Sequence, residues 1–529
     1  MAANPYQDEI KRNLPRLLAL FDTDQTSSSY GMGDRYHWAW GLIDFGNGTF
    51  QGAAHGLARL WMAGLWPYPT PKAQFIARLD ALFAAAKRLT RRDGSLEEAF
   101  PNEGSYCVTA LVAFDLLCAV DLLHTEVDAA QSQRWRTIVA PMIGYLKSAD
   151  ETHALISNHL ATAVAALLRW HRLAGDESAE RKAREQLDKI LQHQSEEGWF
   201  KEYEGADPGY QTLCTYYLAD VHQLRPDWQL LEPLRRSIQF LWYFAHPDGS
   251  FAGLYGSRCT RFYYPAGVMA LADDIPEAAA LTAFMASSIA QQRVVTLSAM
   301  DEPNLVPMFN TYTWAAAMAT RVHSGECDVP PTPTIPCLEV QPLRKYFPQA
   351  GLWLDRGPTH YTIINTHKGG VIYHFRQGRH TWINAGVVVR DAQGRYASSQ
   401  AYDQHNSVRQ QGEQLEITGQ ITAMPKQLPG PLQFLLLRLL CLTAFRSVAL
   451  REWIKRRLVN MLITRRQRWP VNNLRTIHLG EALSFEDKTL LPAGYQRVES
   501  TGAFVPVHMA SQGYWQIQDE QTQHEGAQP

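Results

Sequence analysis

The chain has no CxxC pair, no apolar run long enough to cross a bilayer, no fixed-period repeat and little net charge. Each absence excludes something. Seven cysteines, an odd number without paired spacing, fit buried thiols in a reducing compartment rather than a disulfide framework. A formal charge of −2 removes any whole-chain reason to expect nucleic acid as a partner. The start, MAANPYQDEIKRNLPRLLALF, carries mixed charges ahead of a short apolar stripe. It lacks the basic region, long apolar core and cleavage site of a signal peptide, so the expectation is a cytoplasmic protein. What is present, 46% hydrophobic and 19% charged residues over 529 positions, suits a folded chain with room for two or more domains.

Alanine-rich amphipathic patterns recur at roughly 73–89, 105–123, 129–147, 153–174, 178–195, 209–222, 229–245 and 276–292. Their connectors are short and punctuated by Gly, Pro or Asp, as in KRLTRRDGS, RLAGDES and FAHPDGS. Many antiparallel helices of similar length predict a toroid of helical hairpins over 1–325. Cys327 to Pro342 (CDVPPTPTIPCLEVQP) is proline-rich and extended, which places a linker at 326–345. The pattern then changes. His360 to Phe375 (HYTIINTHKGGVIYHF) reads as two strands joined at Lys368-Gly369-Gly370, and Trp382–Val389, Ala397–Tyr402 and Gln414–Ile421 continue the alternation. The expected fold is α+β and multidomain: an N-terminal (α/α) toroid, then a C-terminal antiparallel β-sandwich over 346–529 with a helical insertion at about 428–468.

That insertion is unusual in composition. Gln433 to Phe445 (QFLLLRLLCLTAF) is apolar nearly all round. Arg446 to Trp469 is basic, with Leu450, Trp453, Ile454, Leu458, Met461 and Leu462 in one stripe. From Lys426 to Arg468, ten Lys and Arg face one acid, Glu452, a local +9 that leaves −11 for the rest of the chain. The apolar run is shorter than the ~20 residues of a membrane span, and Arg438 interrupts it. Gln433–Arg468 therefore fits a helix on an anionic membrane surface, with the protein peripheral at the inner membrane, or a helix packed internally or at a dimer contact.

Three stretches carry candidate chemistry. In GWFKEYEGADPGYQTLCTYYLAD (Gly198–Asp220), Asp207-Pro208 is a helix-start signal. Tyr210 falls in the first turn, where the positive end of the helix dipole favours an ionised phenol; it is a proton-transfer group or a packed aromatic. In ALISNHLATAVAALLRWH, Asn158, Ala161, Thr162 and Ala165 form a small, partly polar face. The Asn158 amide offers two donors to a ligand or, with His159, bonds a neighbouring loop. In YGSRCTRFYYP (Tyr255–Pro265), Arg258 and Arg261 among aromatics suit a planar carboxylate with sugar rings stacked alongside, or are structurally paired. Trp199, Glu202 and Tyr264 complete the candidate substrate-binding set.

The segments NHLATA, GWFKEYEGADPGYQT, YGSRCTRFYYP and IKRRLVNMLITRR followed by RTIHLGE, set on that architecture, resemble the heparinase II/III-type polysaccharide lyases. The resemblance implies β-elimination on an acidic, uronate-containing polysaccharide or oligosaccharide, as in exopolysaccharide or capsule metabolism. It implies Asn158 as neutraliser of the uronate carboxylate, His159 as base and Tyr210 as acid or base. Members of that family carry histidines and an aspartate in the β region, some binding zinc. Here His360, His367, His374, His380 and His405 occur without an HxHxD-like cluster, so no metal or other cofactor is expected. Three alternatives stay open. A uronate C5-epimerase uses the same proton abstraction. A glycoside hydrolase needs two carboxylates, such as Glu202, Glu204 or Asp207, flanking the bond. A non-catalytic glycan-binding protein of a membrane-associated assembly keeps the cleft without turnover.

Overall fold

Short polar side chains and prolines write the helix starts. Asn4, Ser105, Asp128, Asp176 and Asp207 each accept a hydrogen bond from a free amide in the first turn that follows, and Pro5 and Pro208 occupy first helical positions. The computed structural model describes residues 4–151, 155–203, 205–323, 332–376, 382–423, 430–459 and 467–498. The first elements are α1 (Pro5–Leu18), α2 (Arg35–Trp38), α3 (Ala53–Met62), α4 (Lys72–Leu89), α5 (Tyr106–Leu122), α6 (Ala129–Ser148) and α7 (Ser157–Ala174). Then come α8 (Glu177–Gln192), α9 (Pro208–Leu224), α10 (Leu231–Leu241), α11 (Pro265–Met269), α12 (Pro276–Ala290) and α13 (Glu302–His323). The eight anticipated helical stretches are all present within a few residues.

Packing among the helices follows a cycle. α3 packs on α5, α5 on α7, α7 on α9, α9 on α11, α11 on α13, and α13 returns to α3. α4, α6 and α8 pack in sequence on one another, as do α10, α12 and α1. With neighbours on both sides, α5 is buried along nearly its whole circumference.

The strands follow. β1 (Leu343–Phe347), β2 (Leu352–Arg356), β3 (His360–Asn365), β4 (Val371–Arg376) and β5 (Trp382–Asn384) form one antiparallel sheet in chain order. β6 (Val388–Arg390), β7 (Tyr396–Ser398), β8 (Ser407–Gln411), β9 (Gln414–Ala423), β10 (Arg468–His478), β11 (Ser484–Leu490) and β12 (Gln496–Val498) form a second, with order β11-β10-β9-β7-β6-β12 and β8 also paired to β9. The first sheet is a middle layer. Leu352, Leu354, Ile363, Val371, Tyr373 and Phe375 join the core of the helices, whereas Trp353, Ile364 and Ile372 on its other face pack against Leu415, Ile417 and Ile477 of the second sheet. This is why β2, β3 and β4 are buried on both faces, while β10 alternates buried and exposed residues.

The helical insertion lies between β9 and β10, as α14 (Pro431–Leu442) and α15 (Val448–Val459). Part of the anticipated linker, and Met461 and Leu462 of the basic stripe, lie outside the described residues. β1 begins at Leu343, inside the stretch read as linker. Among the described residues no helix is long and apolar enough to cross a membrane.

Candidate active site

Glu202 is the point on which the nominated residues converge. A short antiparallel bridge pairs Ile156 with Glu202, and Ser157 N donates to Lys201 O at 3.1 Å, so the first turn of α7 lies against Lys201 and Glu202. The Asn158 amide then donates to both Glu202 carboxylate oxygens at 2.8 Å. Arg258 Nη1 donates to Glu202 Oε1 at 2.7 Å. The turn itself needs Tyr203 in left-handed backbone, φ 58°, a conformation uncommon for a bulky residue.

Asp207 joins the two halves of the cluster. Its Oδ1 accepts from Tyr210 N at 3.0 Å, capping α9, and its Oδ2 accepts from Arg258 N at 2.8 Å. One carboxylate thus sets the backbone of Tyr210 and of Arg258 together. The Arg258 guanidinium lies 3.6 Å from the centroid of the Tyr210 ring and 5.1 Å from that of Tyr203. Gly209 lets the 258–262 segment approach: a Cβ there would sit 2.4 Å from Thr260 Cγ2 and 2.7 Å from the Phe262 carbonyl oxygen.

The first sheet holds the arginine's loop from below. The buried Lys368 ammonium donates to the carbonyls of Leu254 and Gly256 and to Cys259 Sγ, the Asn365 amide donates to Tyr255 O, and Leu254 N donates to the Tyr373 hydroxyl. From the second sheet's side, Tyr402 approaches Gly205, and its hydroxyl meets His367 Nδ1 at 3.1 Å.

His159 sits beside the cluster, its side chain 16% exposed. Its Nδ1–H donates to Glu151 Oε1 at 2.7 Å, and its ring also bonds the Cys107 thiol in the first turn of α5. Burial works against a charged imidazole, but Cys107 and Glu151 outweigh it and hold His159 well above its ordinary range. Burial likewise pushes the Glu202 carboxyl up, against the pull of Arg258, His159 and Asn158. Tyr203 is pushed up to about 12 by burial. Arg258 stays charged: burial opposes this, but Tyr210 and Glu202 outweigh it.

The structure therefore brings Asn158, Glu202, Tyr210 and Arg258 together, with His159 alongside. Tyr264 is fully packed; its ring lies 5.7 Å from Phe262, which in turn meets Tyr210 at 5.6 Å. Arg261 is half-buried, and its carbonyl accepts from Val295 N at 3.1 Å. Trp199 goes elsewhere. Its indole N–H donates to Glu197, whose carboxylate also accepts from Gln349 N and Ala350 N in the β1–β2 turn. Glu151, Tyr203 and Tyr402 were not singled out from the sequence, and only the position of Tyr203 beside Glu202 gave a signal.

Among the described residues one His/Asp/Glu group, His171, Glu177 and Glu180, is close enough to hold a cation, but Glu180 is already paired with Arg225. The β-region histidines each bond a protein partner, His360 with Asp355, His374 with Thr362, His367 with Tyr402 and His405 with Asp403, and the His360 and His374 rings stack at 5.9 Å. His380 lies outside the described residues.

With this geometry in place, comparison with solved structures finds polysaccharide lyases. The Streptomyces coelicolor A3 chondroitin AC lyase, solved in complex with chondroitin sulphate, superimposes with a TM-score of 0.50 at 13% identity, over 80% of this chain and 64% of that one. A Paenibacillus xanthan lyase matches with 0.46 at 12% identity over 79% of this chain and 45% of that one, and heparinase III with 0.45 at 10% over 92% and 78%. The chain thus spans less than two thirds of the first two. At such identities the likeness is one of fold. No family model and no curated protein matches the chain.

Proposed function

We propose that this chain is a polysaccharide lyase-like enzyme that cleaves an acidic, uronate-containing glycan by β-elimination at the Asn158–Glu202–Arg258–Tyr210 cluster. The observation that carries this reading is the Arg258 guanidinium 3.6 Å over the Tyr210 ring, in the first turn of α9. The proton α to a carboxylate is very weakly acidic, and a tyrosine, ordinarily near pKa ~10, needs a cation and a helix N-terminus to act as its base. Tyr210 has both. Cys107 and Glu151 hold His159 well above its ordinary range, so it serves as a cation near the substrate carboxylate rather than as the base.

In this scheme the ionised Tyr210 takes the C5 proton, the C4–O bond breaks as the C4=C5 double bond forms, and the Tyr210 hydroxyl returns that proton to the leaving oxygen. Arg258 and His159 supply the positive field that stabilises the enediolate-like intermediate, and the Asn158 amide reaches the uronate carboxylate by exchanging Glu202 for it, each aligned donor being worth roughly 3 kcal/mol. Hydrolysis is disfavoured: Glu202 is committed to Asn158 and Arg258, and Asp207 to the cap of α9 and to Arg258 N. Glu204 lies outside the described residues. The return of α13 onto α3 supports reading α3, α5, α7, α9, α11 and α13 as the inner ring of a closed (α/α) toroid over 1–325, ahead of a β-sandwich over 346–529.

The test is to incubate the purified protein with a panel of acidic and neutral glycans. The expected outcome is ultraviolet absorbance from an unsaturated sugar with uronate-containing substrates only. New reducing ends without absorbance mean hydrolysis, C5 inversion without cleavage means epimerisation, and binding without either means a glycan-binding protein; each overturns the reading.

A further inference from the structure

We propose that the exposed face of α14, with the 36–42 segment beside it, is a docking surface for an anionic lipid bilayer. α14 has two faces with opposite fates. Arg438, Cys441 and Phe445, at helical spacing in and just past it, face the protein: Arg438 pairs with Asp44 at 2.9 Å, the Cys441 carbonyl accepts from the Asn102 amide at 2.9 Å, and Phe445 packs on Phe100 at 5.3 Å. The other face holds Leu432, Leu435, Leu436, Leu439 and Leu442, each more than half exposed, with Leu432 at 80%. A leucine at i, i+3, i+4, i+7 and i+10 left in water is not the pattern of a helix packed on its own domain.

A second segment, distant in sequence, adds to it. Asp44, which holds Arg438, ends a stretch in which Tyr36, Trp40 and Leu42 are exposed, Trp40 at 67% and Leu42 at 73%. α15 adds the half-exposed Trp453, with Arg457 over its ring at 5.5 Å. The occupant is chosen by charge and composition. Arg446, Arg456 and Arg457 are exposed. Exposed leucines, tryptophans and arginines in these neighbouring segments match the apolar boundary, the aromatic belt and the anionic headgroups of a bilayer. α14 is about 18 Å long, so it lies in the interface rather than across it.

The anchoring contacts put this surface next to the candidate active site. Lys455 Nζ donates to Gly104 O at 3.4 Å, and the buried Arg451 faces Asp93; the 93–104 loop they grip leads into Cys107, the partner of His159. A membrane-held chain would thus present its site to glycan close to the lipid surface.

The experiment is sedimentation of the full chain with phosphatidylglycerol/phosphatidylcholine vesicles and with phosphatidylcholine alone. Binding to the anionic vesicles is expected to exceed binding to the neutral ones at least tenfold, and to weaken as salt shortens the screening length below about 8 Å. Leu435→Glu/Leu439→Glu should abolish it and Arg446→Glu/Arg456→Glu should lower it at least tenfold, both with unchanged circular dichroism and melting because the altered side chains are exposed. Protein that stays in the supernatant with both vesicles, or binding indifferent to lipid charge or to these substitutions, overturns the proposal. A dimer that Leu435→Glu/Leu439→Glu dissociates, in a chain that binds no vesicle, assigns the face to a second copy instead.

Discussion

Two buried clusters in the helical part use the same kinds of side chain and differ in where they sit. In one, His55 Nδ1 meets Asp115 at 2.9 Å and Arg59 donates to His55 Nε2 at 3.0 Å, all within α3 and α5. Burial pushes His55 well below its ordinary range and Asp115 well above its own. In the other, Glu202, Asn158, Arg258 and Tyr210 come from first turns and loops, with left-handed backbone at Tyr203 and at Cys259. Perturbed ionisation marks both, so it does not by itself separate a reaction site from a packed core. Position does. His55, in the first turn of α3, and Asp115, in the middle of α5, are fully enclosed between helices, whereas the second cluster is built from two loops and two helix starts and keeps a partly exposed edge at His159.

The largest expected effect breaks the second cluster. Arg258→Met should leave the Glu202 carboxylate buried without its cation and destabilise the fold by about 3–5 kcal/mol in chemical denaturation. Arg258→Met/Glu202→Leu should recover most of that stability and none of the activity. If the single variant is as stable as wild type, the pair is not a buried ion pair in solution, and the contrast with His55 and Asp115 collapses.

Tyr210→Phe comes next and separates chemistry from packing. Turnover of a uronate-containing glycan should fall about 10²-fold or more per folded molecule, the folded fraction being read from the melting curve. Equal turnover removes Tyr210 from the mechanism.

A third expectation uses the opposite signs of two histidines. His246, bonded to Tyr255 Oη at 2.7 Å, is lowered to about 4 by burial. The unfolded chain binds its proton first, so its contribution is present above about pH 6.5 and is lost as pH falls toward 4, at about 1.4 kcal/mol per pH unit over that window. His159 is raised, so its contribution is present below its ordinary pKa and is lost as pH rises through the folded value. Stability against pH for His246→Asn and His159→Gln should diverge, the first flattening the acid limb and the second the alkaline one. Parallel curves would mean that the two sites do not differ in charge.

Much of this architecture was legible because it rests on local patterns. Alanine-rich amphipathic runs gave most helices, but α3 (AAHGLARLWM) is nearly all buried and α13 has Pro307 inside it, so neither shows a clean stripe. β3 and β4 read as strands, whereas β8 and β11 are exposed and polar, and their pairing depends on β9 and β10 rather than on their own residues. Asp207, Pro208 and Tyr210 were readable as a helix start. That Asn158 and Arg258 share Glu202 was not, since the partners lie 44 and 56 residues apart and meet only through tertiary packing. Lys368 signalled a turn, and its burial against the 254–259 loop became visible only in the folded chain.

The smallest expected effect tests how closely the arginine's loop must approach. Gly209 lies in the first turn of α9, and an added Cβ would meet Thr260 Cγ2 at 2.4 Å and the Phe262 carbonyl oxygen at 2.7 Å. Rotating the threonine methyl leaves Thr260 Cβ at 2.7 Å and the carbonyl is backbone, so the 258–262 segment would have to shift. Overpacking of this kind costs about 1–3 kcal/mol. The same shift moves Arg258 off the Tyr210 ring, so activity should fall by more than the loss of folded protein accounts for. Gly144 is the control: it sits within α6 with no atom inside 4 Å of an added Cβ, and Gly144→Ala should be neutral or stabilise by up to about 1 kcal/mol. Turnover per folded molecule, measured for both at one temperature, separates the outcomes. If Gly209→Ala keeps wild-type turnover, the stacking of Arg258 on Tyr210 is incidental to the chemistry, and the second cluster becomes a structural one like the first.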